Sequence, residues 1–382
     1  MLPLLRYPLI MLMLFVPYLL KAQNTAATDS LATAETRSLL SSLQRLQGAG
    51  VLFGHHDDTA YGVNWKFKDS SDVKNVTGSY PAVYGWDLSG IELDSTFDIN
   101  RIPFTTQARL VREAYERGGV NTFCWHMNNP GNDKTSWDTT SILVYQLLPG
   151  GEYHKKYVTW LDRAARYLST LKGSGGEPIP ILFRPFHELT GDWFWWGYGN
   201  SNANDFIELW RFTINYLRNT KKLHNLLLVY SAAEYYSDID LLERYPGDDY
   251  ADFIGFDTYC FDDVQLYKKN MNRQLQILQQ VTNEHHKLAC IAETGYQGIP
   301  LKNWWTEVLV PLLAQYNTLS YLLIWRNNGP EHYYAPYSGQ VSAEDFRQFY
   351  KAGQVMFQDK LMPLALYGPG HALRYGVNHN HE

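Results

Sequence analysis

The sequence predicts a single (β/α)8 TIM barrel whose working face is the C-terminal end of the strands. Three observations predict it. Eight short runs of β-branched and aromatic residues alternate with segments of helical period, the pattern of a parallel sheet covered by helices. The body of the chain carries no internal repeat and no cluster of Pro, Gly and Ser long enough to separate two domains. Its 382 residues suit one barrel of about 250 residues enlarged by insertions.

Taken from the N-terminus, Arg6 precedes an apolar run over 9–20 that is followed by Lys21-Ala22-Gln23. The run is short for a membrane span and right for the apolar part of an export signal. Residues 1–22 therefore read as a signal peptide cleaved near Ala22. No cysteine follows the run to take a lipid, so the expectation is a protein without a membrane anchor, periplasmic or secreted. Residues 23–35 are rich in Ala, Thr and Ser without apolar period, and read as a flexible leader. The catalytic (β/α)8 barrel domain is expected over 36–378.

Within that domain strands are expected at 51–54, 82–87, 120–125, 179–186, 225–231, 253–257, 288–292 and 320–325. Helices are expected between them, among others at 107–117, 153–171, 204–219, 264–285, 304–316 and 343–357. The longest connection from a strand to a helix, 127–151, falls on the face where such loops shape a binding site.

Composition narrows the partner. A net charge of −6 gives no basic footprint for nucleic acid. Aromatic residues make up 15% of the chain, with 12 Trp and 28 Tyr, more than a core requires. Surplus Trp and Tyr suit a surface that grips flat amphipathic rings, and sugars are such rings. The three cysteines, Cys124, Cys260 and Cys290, sit in apolar segments and read as buried thiols. A monomer is expected.

Polar residues at the C-terminal ends of barrel strands point into the active site. Here those ends carry His55, His56 and Asp57, then Asp87, His126, His187 with Glu188, Tyr259 after Asp257, Glu293, and Trp325 with Arg326. Two of these are glutamates on opposite strands, 293 − 188 = 105 residues apart. A pair of carboxyls across a barrel mouth is what glycoside hydrolysis needs, one to protonate the leaving oxygen and one to attack the anomeric carbon. The competing reading is structural, with a glutamate paired to Arg184 or Arg326. If the two carboxyls are close, Glu293 holds the charge and keeps Glu188 protonated. Tyr259, and His187 from the other side, are candidates to donate hydrogen bonds to Glu293. Trp137, Trp193, Trp195, Trp196 and Trp325 offer faces for pyranose rings, with Trp195 and Trp196 equally suited to core packing.

The stretch Arg184-Pro185-Phe186-His187-Glu188 with Trp193, together with Trp125-His126, Asp257-Thr258-Tyr259, Ala292-Glu293 and Trp325-Arg326, resembles glycoside hydrolase family 26 over nearly the whole mature chain. Most of the surrounding clan places Asn before the acid; His187 stands there in this chain, as in this family. The resemblance implies a retaining barrel enzyme, most often an endo-β-1,4-mannanase acting on β-mannan. It implies Glu188 as acid/base, Glu293 as nucleophile, His187 as the residue orienting the nucleophile and the sugar, and Tyr259 beside the nucleophile. Trp193 is then expected to flank the leaving group, His126 and Trp325 to line the glycone subsite, and Arg326 to serve a more distant one. No cofactor is expected.

Other readings stay open at this stage. The same mechanism serves mixed-linkage β-glucan or β-1,3-xylan, and a barrel can bind glycan without catalysis, although binding has no use for two opposed carboxylates. A metal-dependent amidohydrolase is suggested by the histidines ending the first strand. Adjacent side chains on an extended strand point to opposite sides, so His55 and His56 are poorly placed to share an ion, and no metal is expected. His379 and His381 read as tail residues.

Overall fold

All eight expected apolar runs form strands: β1 (Val51–His56), β2 (Val83–Asp87), β3 (Val120–Cys124), β4 (Ile181–Arg184), β5 (Leu226–Ala232), β6 (Phe253–Cys260), β7 (Leu288–Tyr296) and β8 (Leu319–Ile324). Each pairs in parallel with its neighbours in sequence, and β1 pairs with both β8 (Leu52↔Tyr321) and β2 (Gly54↔Val83), which closes the barrel. The structure is a computed structural model and describes residues 26–140 and 142–376. The expected signal peptide with its cleavage point near Ala22, and the tail histidines His379 and His381, lie outside the described residues.

Helices pack on the outside of the barrel because each carries one apolar stripe. Helix Val264–His285 has the expected bounds: the Asp263 side chain accepts from the Leu266 amide at 2.9 Å and starts it, and His286 ends it at φ 54°. Helix Phe104–Glu116 and helix His154–Thr170 also lie where the periodicity put them. The two helices expected at 204–219 and 304–316 are each interrupted by a wide turn, at Tyr216–Thr220 and Trp305–Leu309. In the second case Pro311 supplies the reason, since it has no amide hydrogen to give the preceding turn.

Two boundaries differ from the sequence reading. The segment expected to be a helix over 343–357 is helical only for Ala343–Lys351, after which Val355–Met356 forms β9, in parallel with Val51 and Leu52 of β1. Val355 and Phe357 are buried, and the Phe357 ring stacks on Phe53 at 4.5 Å, so extended chain buries here what a longer helix would have left outside. The leader expected to run to residue 35 is bonded to the barrel from Thr28 onward. The Thr28 amide donates to Asp252 at 2.9 Å, Asp29 pairs with His224 at 2.8 Å, and Thr33 caps helix Ala34–Leu46.

One irregularity matters for the site. On β6 and β7, Phe256 pairs with Ile291 but Asp257 pairs with Glu293, so Ala292 is an extra residue in β7. The β7–β8 ladder slips at the same place. Such a bulge re-aims the side chain that follows it, and that side chain is Glu293.

Candidate active site

The strand ends bring the candidate residues to one mouth. Glu188 follows β4 in a left-handed backbone conformation, φ 54°, which a residue with a Cβ adopts only when its surroundings impose it. The Trp196 indole donates to the His187 carbonyl at 2.9 Å and the Gly191 amide donates to the Glu188 carbonyl at 2.9 Å, fixing the peptide on either side. The Glu188 carboxyl then accepts from the Trp193 indole at 2.6 Å. Burial, and next the negative charge of Glu293, push its pKa up to about 7, against the opposing influence of the Trp193 bond.

Glu293 sits 3% exposed beneath it. One oxygen accepts from the Arg184 guanidinium and the other from the Tyr259 hydroxyl, the latter at 2.7 Å. Both of its oxygens are thus tied to donors. The other arm of Arg184 donates to Asp257 at 2.7 Å, and Asp257 also accepts from Ser231 at 2.9 Å. Burial pushes Asp257 well above the usual carboxylate range even with Arg184 beside it. A carboxylate oxygen of Glu188, one of Glu293 and one of Asp257 lie within 4.8 Å of one another. Inverting enzymes hold their carboxyls about 6.5 to 9.5 Å apart to seat a water between them, and retaining enzymes about 5 to 5.5 Å. An oxygen of Glu188 thus lies close enough to one of Glu293 for each carboxyl to feel the other's charge.

The expectation that His187 bonds Glu293 is corrected. Its Nε2 faces His126 Nε2 at 3.1 Å, and Arg184 holds the position beside Glu293 instead. His126 is in turn bonded through Nδ1 to Asp87. Burial works against charge on His126, but the Asp87 carboxylate outweighs it and raises the pKa, while burial and then the charge of His126 hold His187 well below the usual value.

The aromatic candidates divide. Trp193 and Trp137 are exposed, at 41% and 48%, and the Trp137 ring lies 5.2 Å from His126 in near-parallel stacking. Trp325 stacks on His56 at 4.3 Å. Trp195 and Trp196 are fully buried beside Phe186 and belong to the core, so they offer no face to a ligand. Arg326 donates to the Tyr61 hydroxyl at 3.3 Å, and Tyr61 and Asn100 both donate to Asp57, whose pKa burial raises to about 7. This group lies at the end of β1, one step outside the glutamate pair. His55 bonds Asp58 at 2.7 Å while His56 stacks on Trp325, so the adjacent histidines part as an extended strand requires.

Two acidic groups have the spacing of metal ligands, Glu188–Asp257–Glu293 and Asp87–Cys124–His126. In the first, Arg184 already donates to Glu293 and Asp257, so an ion would have to displace a bonded guanidinium. In the second, the Asp87 carboxylate is already bonded to His126 Nδ1, so an ion would have to displace that bond.

The sequence places Asp87 and Asp257 at strand ends without giving them a role, and offers Arg184 only as a structural partner. A charged residue inside an otherwise apolar strand was the available signal, since a buried charge needs a partner of opposite sign. A close approach also escaped notice: a Cβ at Gly295 would meet Tyr334 Cδ1 at 2.5 Å, and Tyr334 packs 5.7 Å from Tyr259.

With the geometry described, comparison with known proteins is informative. The sequence model of Glycosyl hydrolase family 26 matches residues 28–334. A mannan endo-1,4-beta-mannosidase of Bifidobacterium adolescentis is 30% identical over 357 residues, covering 87% of this chain and 35% of the relative. One from Bacillus subtilis is 28% identical over 286 residues, covering 72% and 73%. The structure of a β-mannanase from Bacteroides ovatus superposes with a TM-score of 0.84 at 41% identity, over 92% of this chain and 99% of that one. An endo-β-1,4-mannanase of Cellulomonas fimi gives 0.80 at 32% identity, over 88% and 78%. The chain thus spans about a third of the length of the Bifidobacterium relative but nearly all of the Bacteroides structure.

Proposed function

Because the chain belongs to glycosyl hydrolase family 26, we propose that it is a retaining endo-β-1,4-mannanase that cuts mannan, galactomannan or glucomannan by double displacement. The observation that carries this reading is the glutamate pair: two carboxyls with an oxygen of each within 4.8 Å, one with its pKa raised to about 7 and the other held by Arg184 and Tyr259. Neutral pH leaves much of Glu188 protonated and able to donate, while Glu293 accepts from Arg184 and Tyr259. In the first step Glu293 attacks the anomeric carbon as the bond to the leaving oxygen breaks, and Glu188 gives that oxygen its proton. In the second, Glu188, now a base, takes a proton from water as the water displaces Glu293. The nucleophilic oxygen must loosen from its donor as it bonds carbon, so Arg184 and Tyr259 set the charge available for attack.

The names of the relatives support mannan as the substrate. Trp193, hydrogen-bonded to Glu188, is placed to stack under the leaving sugar. His126, Trp137, His187 and Trp325 are placed to wall the sugar that becomes attached to Glu293, with Arg326 further along. We also propose that the protein acts as an exported monomer, without a membrane anchor, in the periplasm or medium, where a polysaccharide too large to enter a cell is found. Among the described residues no helix is long and apolar enough to cross a membrane.

The experiment is a digest of linear mannan, galactomannan, mixed-linkage β-glucan and β-1,3-xylan with product sizes followed over time. Rapid loss of chain length on mannan alone supports the reading. Preference for the glucan or xylan would move the substrate and keep the chemistry, and no cleavage of any would contradict both.

A further inference from the structure

A cavity of about 230 Å³ opens between the loop after β2 and the loop after β3. His126 lines it, whereas neither Glu188 nor Glu293 does, so it meets the active centre at the imidazole and extends beyond it.

Its walls have the chemistry of a sugar site. The Arg101 guanidinium lies over the Phe97 ring, 4.1 Å from its centroid, a cationic plane backed by an aromatic one. Arg101 is exposed and holds a left-handed backbone, φ 66°, in a turn closed by its amide on the Asp98 carbonyl at 3.0 Å. A guanidinium so held presents donors in a fixed plane, suited to vicinal hydroxyls. Ser136 lines the opposite loop at 1% exposure, and its hydroxyl has no partner within the protein. Such a hydroxyl gains a bond when a ligand reaches the wall. The walls are fixed to each other by Glu92 of the first loop, which accepts from the Asn128 amide at 2.7 Å and the Trp125 indole at 3.0 Å on the other side. A cavity tied across its mouth in this way is formed before a ligand arrives.

We propose that this cavity is a subsite for one pyranose unit of the glycan, seated on the Phe97–Arg101 plane and remote from the bond that is cut. The assignment rests on the mannanase reading above. The ring is a hexose of the main chain several units from the cleaved bond, or a single galactose carried on that chain as a branch.

The test is kcat/KM of the wild type and of Arg101→Asn on three substrates: the shortest linear manno-oligosaccharide the wild type cleaves, a long linear one, and a galactosylated one. Asn tolerates the left-handed backbone, so the loop is kept while the guanidinium is removed. Ser136→Ala is the second variant, chosen because its hydroxyl bonds nothing in the protein. Arg101→Asn is expected to lose about tenfold on substrates that reach the cavity and nothing on the shortest, and Ser136→Ala about fivefold in the same pattern. A loss confined to the long linear substrate identifies a main-chain unit, and one confined to the galactosylated substrate identifies the branch. An equal change on all three, or no change on any, overturns the subsite. A wild type that cleaves no β-mannoside overturns the functional reading and the subsite with it.

Discussion

Glu188 and Glu293 are chemically identical side chains, and only their neighbours can give them the different roles proposed for them. Glu188 has a single donor, the Trp193 indole, and faces an anion; Glu293 has Arg184 and Tyr259. With its pKa raised to about 7, Glu188 loses its proton as pH rises through that value, so kcat/KM should fall on the alkaline side of about pH 7. A pH–rate profile that stays level to about pH 9 would contradict the assignment. Replacing Glu293 by Gln removes a charge that raises the Glu188 pKa, so a carboxyl titration of that variant followed by NMR should show Glu188 ionising at lower pH. An unchanged titration would mean that Glu293 does not set it. Tyr259→Phe leaves Glu293 with Arg184 alone and is expected to cost about 10- to 100-fold in kcat/KM with the fold intact. At this scale the sequence revealed which side chains reach the mouth but not which touch. His187 and Arg184 are both on the strand-four segment, three residues apart, and nothing in their spacing says that Arg184 reaches across the barrel to Glu293 while His187 turns to His126.

Among the elements, β7 does the most to place the chemistry. Its extra residue, Ala292, changes the register against β6 and β8 immediately before Glu293. Deleting Ala292 would restore a regular ladder with Glu293 still opposite Asp257 but without the local bend that aims its carboxyl. Activity should be lost entirely while circular dichroism still reports a barrel; retained activity would show that the bulge is incidental. Gly295 is a second constraint on β7, because a methyl there would meet Tyr334 at 2.5 Å. Eight strands were legible because each is a run of β-branched and aromatic residues buried on both faces. The bulge was not legible, for Ile291-Ala292-Glu293 reads the same with or without a register slip. Nor was β9: two residues show no period, and Phe346, Phe349 and Phe357 keep a helix-like spacing across a break made by Ala352 and Gly353.

For the whole molecule, several buried carboxyls set a limit on stability at alkaline pH. Burial raises Asp57 and Glu92 to about 7, Asp98 to about 9, and Asp257 upward as well. Unfolded, the same groups ionise near about 4. Between these values the folded chain binds more protons than the unfolded one, so their contribution is fully present below about pH 4 and is lost as pH rises through about 7 and then about 9. The thermal midpoint should therefore fall by several degrees between about pH 6 and about pH 9, and Asp98→Asn should flatten the upper part of that fall. A midpoint that rises over this range would contradict the account. The clustering itself was invisible in sequence, because Asp57, Asp87 and Asp98 come from different strand ends and loops that only the closed barrel brings together.

The division of labour between the two glutamates is tested most directly by product analysis of Glu188→Ala and Glu293→Ala on an aryl β-mannoside with a good leaving group, in the presence of azide. Such a leaving group needs no proton, so Glu188→Ala should still form the glycosyl-enzyme, stall for want of a base, and be rescued by azide to give the mannosyl azide of retained β configuration. Glu293→Ala has no nucleophile and should give no retained product. A retained azide from Glu293→Ala, or no rescue of Glu188→Ala, would contradict it.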